Sequence, residues 1–127
     1  MEKNLLIIAS FLLILIGFIH SYLGEKYILI RLFKRDNLPK ILGSDYFTKR
    51  VLRFAWHLTT VSWWGFSAIL YFLSNPSFNN RFEILLTISV VFTISGLISF
   101  LFTRGKHLSW LFFFSIASVS CFSAIYN

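Results

Sequence analysis

Four long stretches of the chain contain no Asp, Glu, Lys or Arg and are dominated by leucine, isoleucine, phenylalanine and valine. They run over residues 5–23, 54–73, 84–102 and 108–126. Because a helix needs about 20 apolar residues to cross the hydrocarbon core of a bilayer, each stretch predicts one transmembrane helix. The short connections predict antiparallel neighbours in chain order. The pattern therefore predicts an all-α integral membrane protein, with residues 1–127 forming a single domain, an antiparallel up-down bundle of four transmembrane helices.

The segment between the first two apolar stretches begins as an amphipathic sequence. In KYILIRLFKRD, residues 26–36, the basic and the apolar side chains fall on opposite sides of a helix. This predicts either an extension of the first helix or a helix lying in the membrane interface. Pro39 then interrupts helical geometry. Ser44 or Asp45 is a suitable N-cap for a second helix that begins at Tyr46.

Composition and charge support a bilayer as the solvent. The chain of 127 residues is 57% hydrophobic and 20% aromatic, more than a soluble domain of this size can bury. Its net charge of +7 is unevenly distributed, since the only basic residues outside the connections after the first and third stretches are Lys3 and Arg81. The positive-inside rule then predicts a multi-pass cell-membrane protein with both termini on the non-cytoplasmic side. Anionic lipid headgroups on the cytoplasmic face, rather than nucleic acid, are the expected partners of this charge.

Small residues mark the face of the first helix that we expect to pack on the second. Ser10, Gly17, Ser21 and Gly24 are spaced so that they share one side of a helix. Such a face allows close helix approach in lipid, where packing rather than the hydrophobic effect drives association.

The histidines and the charged residues near them are predicted to converge at the cytoplasmic side. In an antiparallel pair, the numbers of facing residues have a constant sum, which places His20 level with His57 and Glu25 level with Arg53. We therefore predict a Glu25–Arg53 ion pair, because ionisable groups at a membrane boundary generally find partners. His107, which opens the fourth helix, is expected at a similar depth.

This cluster defines the candidate site and the expected function. Its residues are His20, Ser21, Glu25, Arg53, His57, Thr60, Trp64 and His107. We expect the protein to bind or conduct a small polar ligand or ion, and we expect a homo-oligomer because four helices enclose little space alone. No nucleophile is evident, so no reaction is assigned.

Two alternatives remain open from the sequence. Neutral imidazoles are common ligands of transition metals, so His20, His57 and His107 could form a metal site, and two facing histidines could hold haem. The cluster could instead be purely structural in an accessory subunit of a larger membrane complex.

Overall fold

A computed structural model of the chain describes residues 2–75 and 80–126, and of Glu2 only the backbone. The described part of the chain is all-α, with 82% of its residues in four helices and none in a strand. The first helix consists of α1, Glu2–Leu23, a π-helical segment, Gly24–Leu29, and a last turn, α2, Ile30–Leu32. The others are α3, Tyr46–Leu73, α4, Asn80–Thr103, and α5, Ser109–Ile125. Residues 76–79, in the connection between the second and third apolar stretches, lie outside the described residues.

The amphipathic segment after α1 continues the same helix, with a widened turn. The π-helical segment begins at Gly24, where the backbone can widen without a side chain in the way, and ends with the Ile30 N–H bonded to the Glu25 carbonyl. The helix ends at Leu32, before Pro39, and α3 starts at Tyr46 as the sequence predicts. Asp45 does not cap α3 with its side chain, because its carboxylate pairs with Lys49 at 2.6 Å.

The helices pack antiparallel and in chain order, which forms an open row. Contacts join α1 to α3, α3 to α4 and α4 to α5, whereas in the described residues α1 meets neither α4 nor α5. The expected bundle is therefore not closed, because its first and last helices do not contact each other. Both connections that carry most of the basic residues lie at one end of the row, which we call the basic end.

Close contact between α1 and α3 depends on the small residues of α1. Gly17 lies directly under the indole of Trp64, and Gly24 lies under the indole of Trp56. Each indole N–H donates to a carbonyl of α1, Trp64 to Ile14 at 3.3 Å and Trp56 to His20 at 3.1 Å. The prediction of a small-residue packing face on α1 is confirmed.

Most buried side chains in the described residues are hydroxyls rather than hydrocarbons. Ten serines and threonines are buried, against four apolar residues: Leu29, Phe54, Ala117 and Ala124. Many large apolar side chains are exposed, such as Phe112 at 69%. Two helices, Lys3–Leu32 and Asn80–Thr103, are long and apolar enough to cross a membrane, by length and composition.

We predict that Gly17→Ala weakens the α1–α3 contact, because the added methyl group overlaps the Trp64 indole. Overpacking of this kind costs about 1–3 kcal/mol. The free energy of unfolding in mild detergent measures it. In a Trp64→Ala background the overlap is gone, so the two changes should be strongly non-additive. Equal destabilisation by Gly17→Ala in both backgrounds would contradict this packing.

Candidate functional site

A hydrogen-bonded network joins α1 and α3 near the basic end. The His57 imidazole lies between two groups of the first helix, with Nδ1 2.7 Å from the Ser21 hydroxyl and Nε2 3.2 Å from Glu25 Oε2. Arg53 engages both oxygens of the same carboxylate, through Nη2 at 2.9 Å and Nε at 3.2 Å. We call Ser21, Glu25, Arg53 and His57 the His57 network. The ion pair predicted between Glu25 and Arg53 is present.

Local structure positions each member of the network. Arg53 and His57 are one turn apart on α3 and so project from the same side of it. Ser21 and Glu25 are one turn apart on the first helix, and Glu25 is the second residue of the π-helical segment. Such single-turn widenings often occur at functional sites. The Arg53 guanidinium also packs over the Phe33 ring, 4.9 Å from its centroid, which limits its freedom.

The network is half-buried, so its charges are only partly removed from solvent. The side chains of Arg53, Glu25 and His57 are 34%, 31% and 23% exposed. At this exposure a bidentate Arg–carboxylate pair contributes modestly to stability, on the order of 1 kcal/mol. Its stronger effect is geometric, because the fork of the guanidinium fixes the plane of the carboxylate that His57 contacts.

The two contacts of His57 allow the ring to gain or lose a proton without moving. In the neutral ring, Nε2–H donates to Glu25 while Nδ1 accepts from Ser21. In the charged ring both nitrogens donate, and the Ser21 hydroxyl only has to rotate from donor to acceptor. A proton taken up on one side of the ring can therefore be released on the other.

The structure places His20 beside the network but not in it. Its ring stacks on Trp56, with centroids 4.5 Å apart and an interplanar angle of 1°, and it also contacts Trp63 at 4.8 Å. Its Nε2 is buried and has no hydrogen-bond partner among the described residues. His20 therefore acts as an aromatic packing residue.

His107 lies on a different side of α3 from His57. Its ring contacts the rings of Phe54 and Phe47, at centroid distances of 5.3 and 6.4 Å, and its Nδ1 is 2.8 Å from the Ser109 hydroxyl. α3 lies between α1 and α4, so it has one face toward α1 and another toward the α4–α5 turn. His57 lies at the first face and His107 packs against the second. The three imidazoles therefore have different partners, although all three lie near the basic end.

The alternative of a three-histidine metal site is not supported by the described residues. Within residues 2–75 and 80–126, no group of three His, Cys, Asp or Glu side chains could hold a metal ion. Both nitrogens of His57 are engaged, so a metal or haem iron on this ring would have to displace Ser21 or Glu25. The geometry therefore favours hydrogen bonding over metal binding at His57.

Thr60 and Trp64 belong to the same helix contact, further from the basic end. The Thr60 hydroxyl donates to the Gly17 carbonyl at 3.5 Å. Beyond them, Ser10 and Ser67 bond reciprocally, each hydroxyl donating to the other residue's carbonyl at 2.8 and 2.7 Å. These polar contacts continue along the α1–α3 interface, separated from the His57 network by one or more helical turns.

Most other hydroxyls in the described residues donate hydrogen bonds to backbone carbonyls of their own helix. Thr87, Thr93, Ser95, Ser115 and Ser118 each donate to the carbonyl four residues earlier in their own helix. The donor of each of these hydroxyls is therefore engaged within its own helix.

The comparisons with known proteins give no match. The chain matches no protein-family model, and neither a curated protein nor a solved structure is detectably similar to it.

Sequence reasoning missed the roles of Trp56 and Trp63. Trp56 is not among the predicted site residues, yet its indole covers Gly24 and stacks on His20. The available signal was the near-equal spacing of the two pairs in reverse order, since Gly17 and Gly24 are seven residues apart on α1 and Trp56 and Trp64 are eight apart on α3.

We predict energetic coupling between Glu25 and Arg53. In the wild type, Arg53→Ala leaves the partly buried Glu25 carboxylate without its bidentate partner. In a Glu25→Gln background no carboxylate is left unpaired, so the same substitution should destabilise the protein less. A double-mutant cycle on the free energy of unfolding should give a coupling of about 1 kcal/mol, and additive effects would contradict pairing.

Proposed function

We propose that the protein is a small four-span membrane protein that conducts a small ion, with the proton as the ion that the His57 network handles. The observation that carries this proposal is the His57 ring bridging the Ser21 hydroxyl and the Glu25 carboxylate. A histidine is the ordinary proton-shuttling side chain near neutral pH. Ionisable residues within membrane helices generally mark such pathways.

Burial supports a bilayer as the solvent. In water, leucine and phenylalanine are usually buried and serine is usually exposed. Here ten serines and threonines are buried, whereas many large apolar side chains are exposed. In lipid, that arrangement keeps the hydroxyls away from the acyl chains and places apolar side chains against them.

The helix lengths support four crossings. At 1.5 Å per residue, α4, with 24 residues, extends about 36 Å, and the 17 residues of α5 extend about 25 Å, at the lower limit of length for a crossing. α3 has 28 residues, and the part that follows Arg53 is uncharged and long enough to cross. The basic end would then lie in the cytoplasm, with both termini on the other side.

A route across the bilayer would follow the α1–α3 interface. From the Ser10–Ser67 pair and Thr60, a proton would reach the Ser21 hydroxyl, pass to Nδ1 of His57 and leave from Nε2 to the Glu25 carboxylate, whose side chain is 31% exposed at the basic end. The hydroxyls lie one or more turns apart, which exceeds hydrogen-bond length, so transfer between them requires intervening water.

Proton flux into liposomes tests this function. We expect the purified protein to dissipate a pH gradient and His57→Ala to reduce the flux by about a hundredfold or more, the low end for loss of a proton-transferring group. His107→Ala is the matched control, because His107 lies at the same end but outside the network. Equal flux in the wild type, His57→Ala and protein-free vesicles would contradict the proposal.

The open row favours a second candidate, a subunit of an assembly. Among the other helices that the structure describes, α1 packs along its length only on α3, and 11% of its most apolar stretch is buried. A further copy of the chain, or another membrane protein, could cover that side.

We predict a homo-oligomer in the membrane. Native mass spectrometry from nanodiscs should show a multiple of the 14.8 kDa chain. Dilution into detergent should not dissociate it if α1 packs on a neighbouring copy. A monomer at all protein-to-lipid ratios would contradict this prediction.

A further inference from the structure

A second polar feature lies at the basic end, on the side of α3 away from α1. Three segments that are distant in sequence form a small cavity there: the α1–α3 connection, the first turns of α3, and the α4–α5 turn. Its volume is about 60 Å³. Its polar lining consists of Ser44, Tyr46, Arg50, Thr103, Arg104 and Lys106.

The positive charge of this cavity is not balanced by the protein. Arg50, Arg104 and Lys106 line it, and among the described residues none of them forms an ion pair. The nearby carboxylate of Asp45 is engaged with Lys49 at 2.6 Å. Three cations around one space repel one another, so an anion placed between them is favoured.

Tyr46 brings two of these cations together. Its ring lies 4.8 Å from the Arg50 guanidinium and 5.6 Å from that of Arg104. Arg50 also donates a hydrogen bond to the Tyr46 hydroxyl oxygen. Because this oxygen accepts, the O–H of Tyr46 remains available to donate to a ligand. The ring thus holds one guanidinium from α3 near one from the α4–α5 turn.

Backbone strain occurs on two sides of the same cavity. Leu42 has φ of 57° and Arg104 has φ of 53°, and they are the only non-glycine residues with positive φ in the part of the chain that the structure describes. Arg104 occupies the position after α4 where glycine is usual, and the following N–H, of Gly105, bonds to the Phe100 carbonyl at 2.9 Å. Strain of this kind concentrates at ligand sites. A glycine would satisfy the turn at lower cost, but it would remove the guanidinium.

We propose that this cavity binds a phosphate group, as a phosphate monoester or diester. Two planar guanidinium groups and an ammonium group suit a compact tetrahedral oxyanion with several acceptor oxygens. The phosphate can belong to an anionic lipid headgroup or to a small soluble phosphate, and the chemistry of recognition is the same. None of these residues belongs to the His57 network, so the site is independent of proton conduction.

Retention of phosphatidate by the detergent-solubilised protein, measured by native mass spectrometry, tests the site. The site variant is Arg104→Gly with Lys106→Gln, and the matched control is Lys34→Gln with Arg35→Gln, which removes the same charge from exposed residues outside the cavity. We expect the site variant to lose at least about tenfold in affinity, because two charge-assisted contacts are removed. The control should retain phosphatidate, and neutral phosphatidylcholine should bind weakly to all forms.

The folding readout is the thermal unfolding transition. Arg104→Gly relieves backbone strain, so the site variant should unfold at the same or a higher temperature than the wild type. Inorganic phosphate that displaces phosphatidate would support a soluble phosphate as the ligand, and failure to displace it would support a lipid headgroup. Equal loss in the site variant and the control, or equal retention of phosphatidate and phosphatidylcholine, would overturn the proposal.

Discussion

The close contact between α1 and α3 is the constraint on which the rest of the structure depends. Two glycines on α1 leave room for two indoles of α3, and each indole N–H bonds to a carbonyl of α1. This contact sets both the distance and the register of the two helices. With that register, Ser21 and Glu25 come to face His57 and Arg53. The polar network is therefore a consequence of how glycine and tryptophan pack.

A bilayer as the solvent, which we propose for this protein, would explain both the open row of helices and the burial of hydroxyls. In a bilayer, apolar side chains gain little by being buried, so a helix can pack against a single neighbour. Burial does favour serine and threonine, because in lipid their hydroxyls need a hydrogen-bond partner. Most of these hydroxyls bond to the backbone of their own helix or of a neighbouring helix. Water would favour a closed bundle with an apolar core. The described residues show the opposite arrangement.

Local patterns were enough to predict the elements, the small-residue face and the Glu25–Arg53 pair, because helical periodicity and antiparallel register are simple geometry. They were not enough to predict which side of α3 each histidine faces. The depth of a residue along the bundle follows from its position in its helix. The direction in which its side chain points depends on which helices are neighbours, and His107 lies on the side of α3 away from α1. The π-helical turn was also beyond prediction, since it depends on tertiary contacts. Strain at Leu42 and Arg104 has no signal in the sequence other than the adjacent glycines.

The measurement that tests this account most directly is side-specific labelling of single cysteines in oriented vesicles, in a Cys121→Ser background. The positions are Lys3 and Arg81 at one end of the row, and Ser44 and Lys106 at the other. Four crossings predict that the first two are labelled only from the non-cytoplasmic side and the other two only from the cytoplasmic side. Labelling of all four positions from the same side would contradict a four-span protein, and with it a proton route through His57.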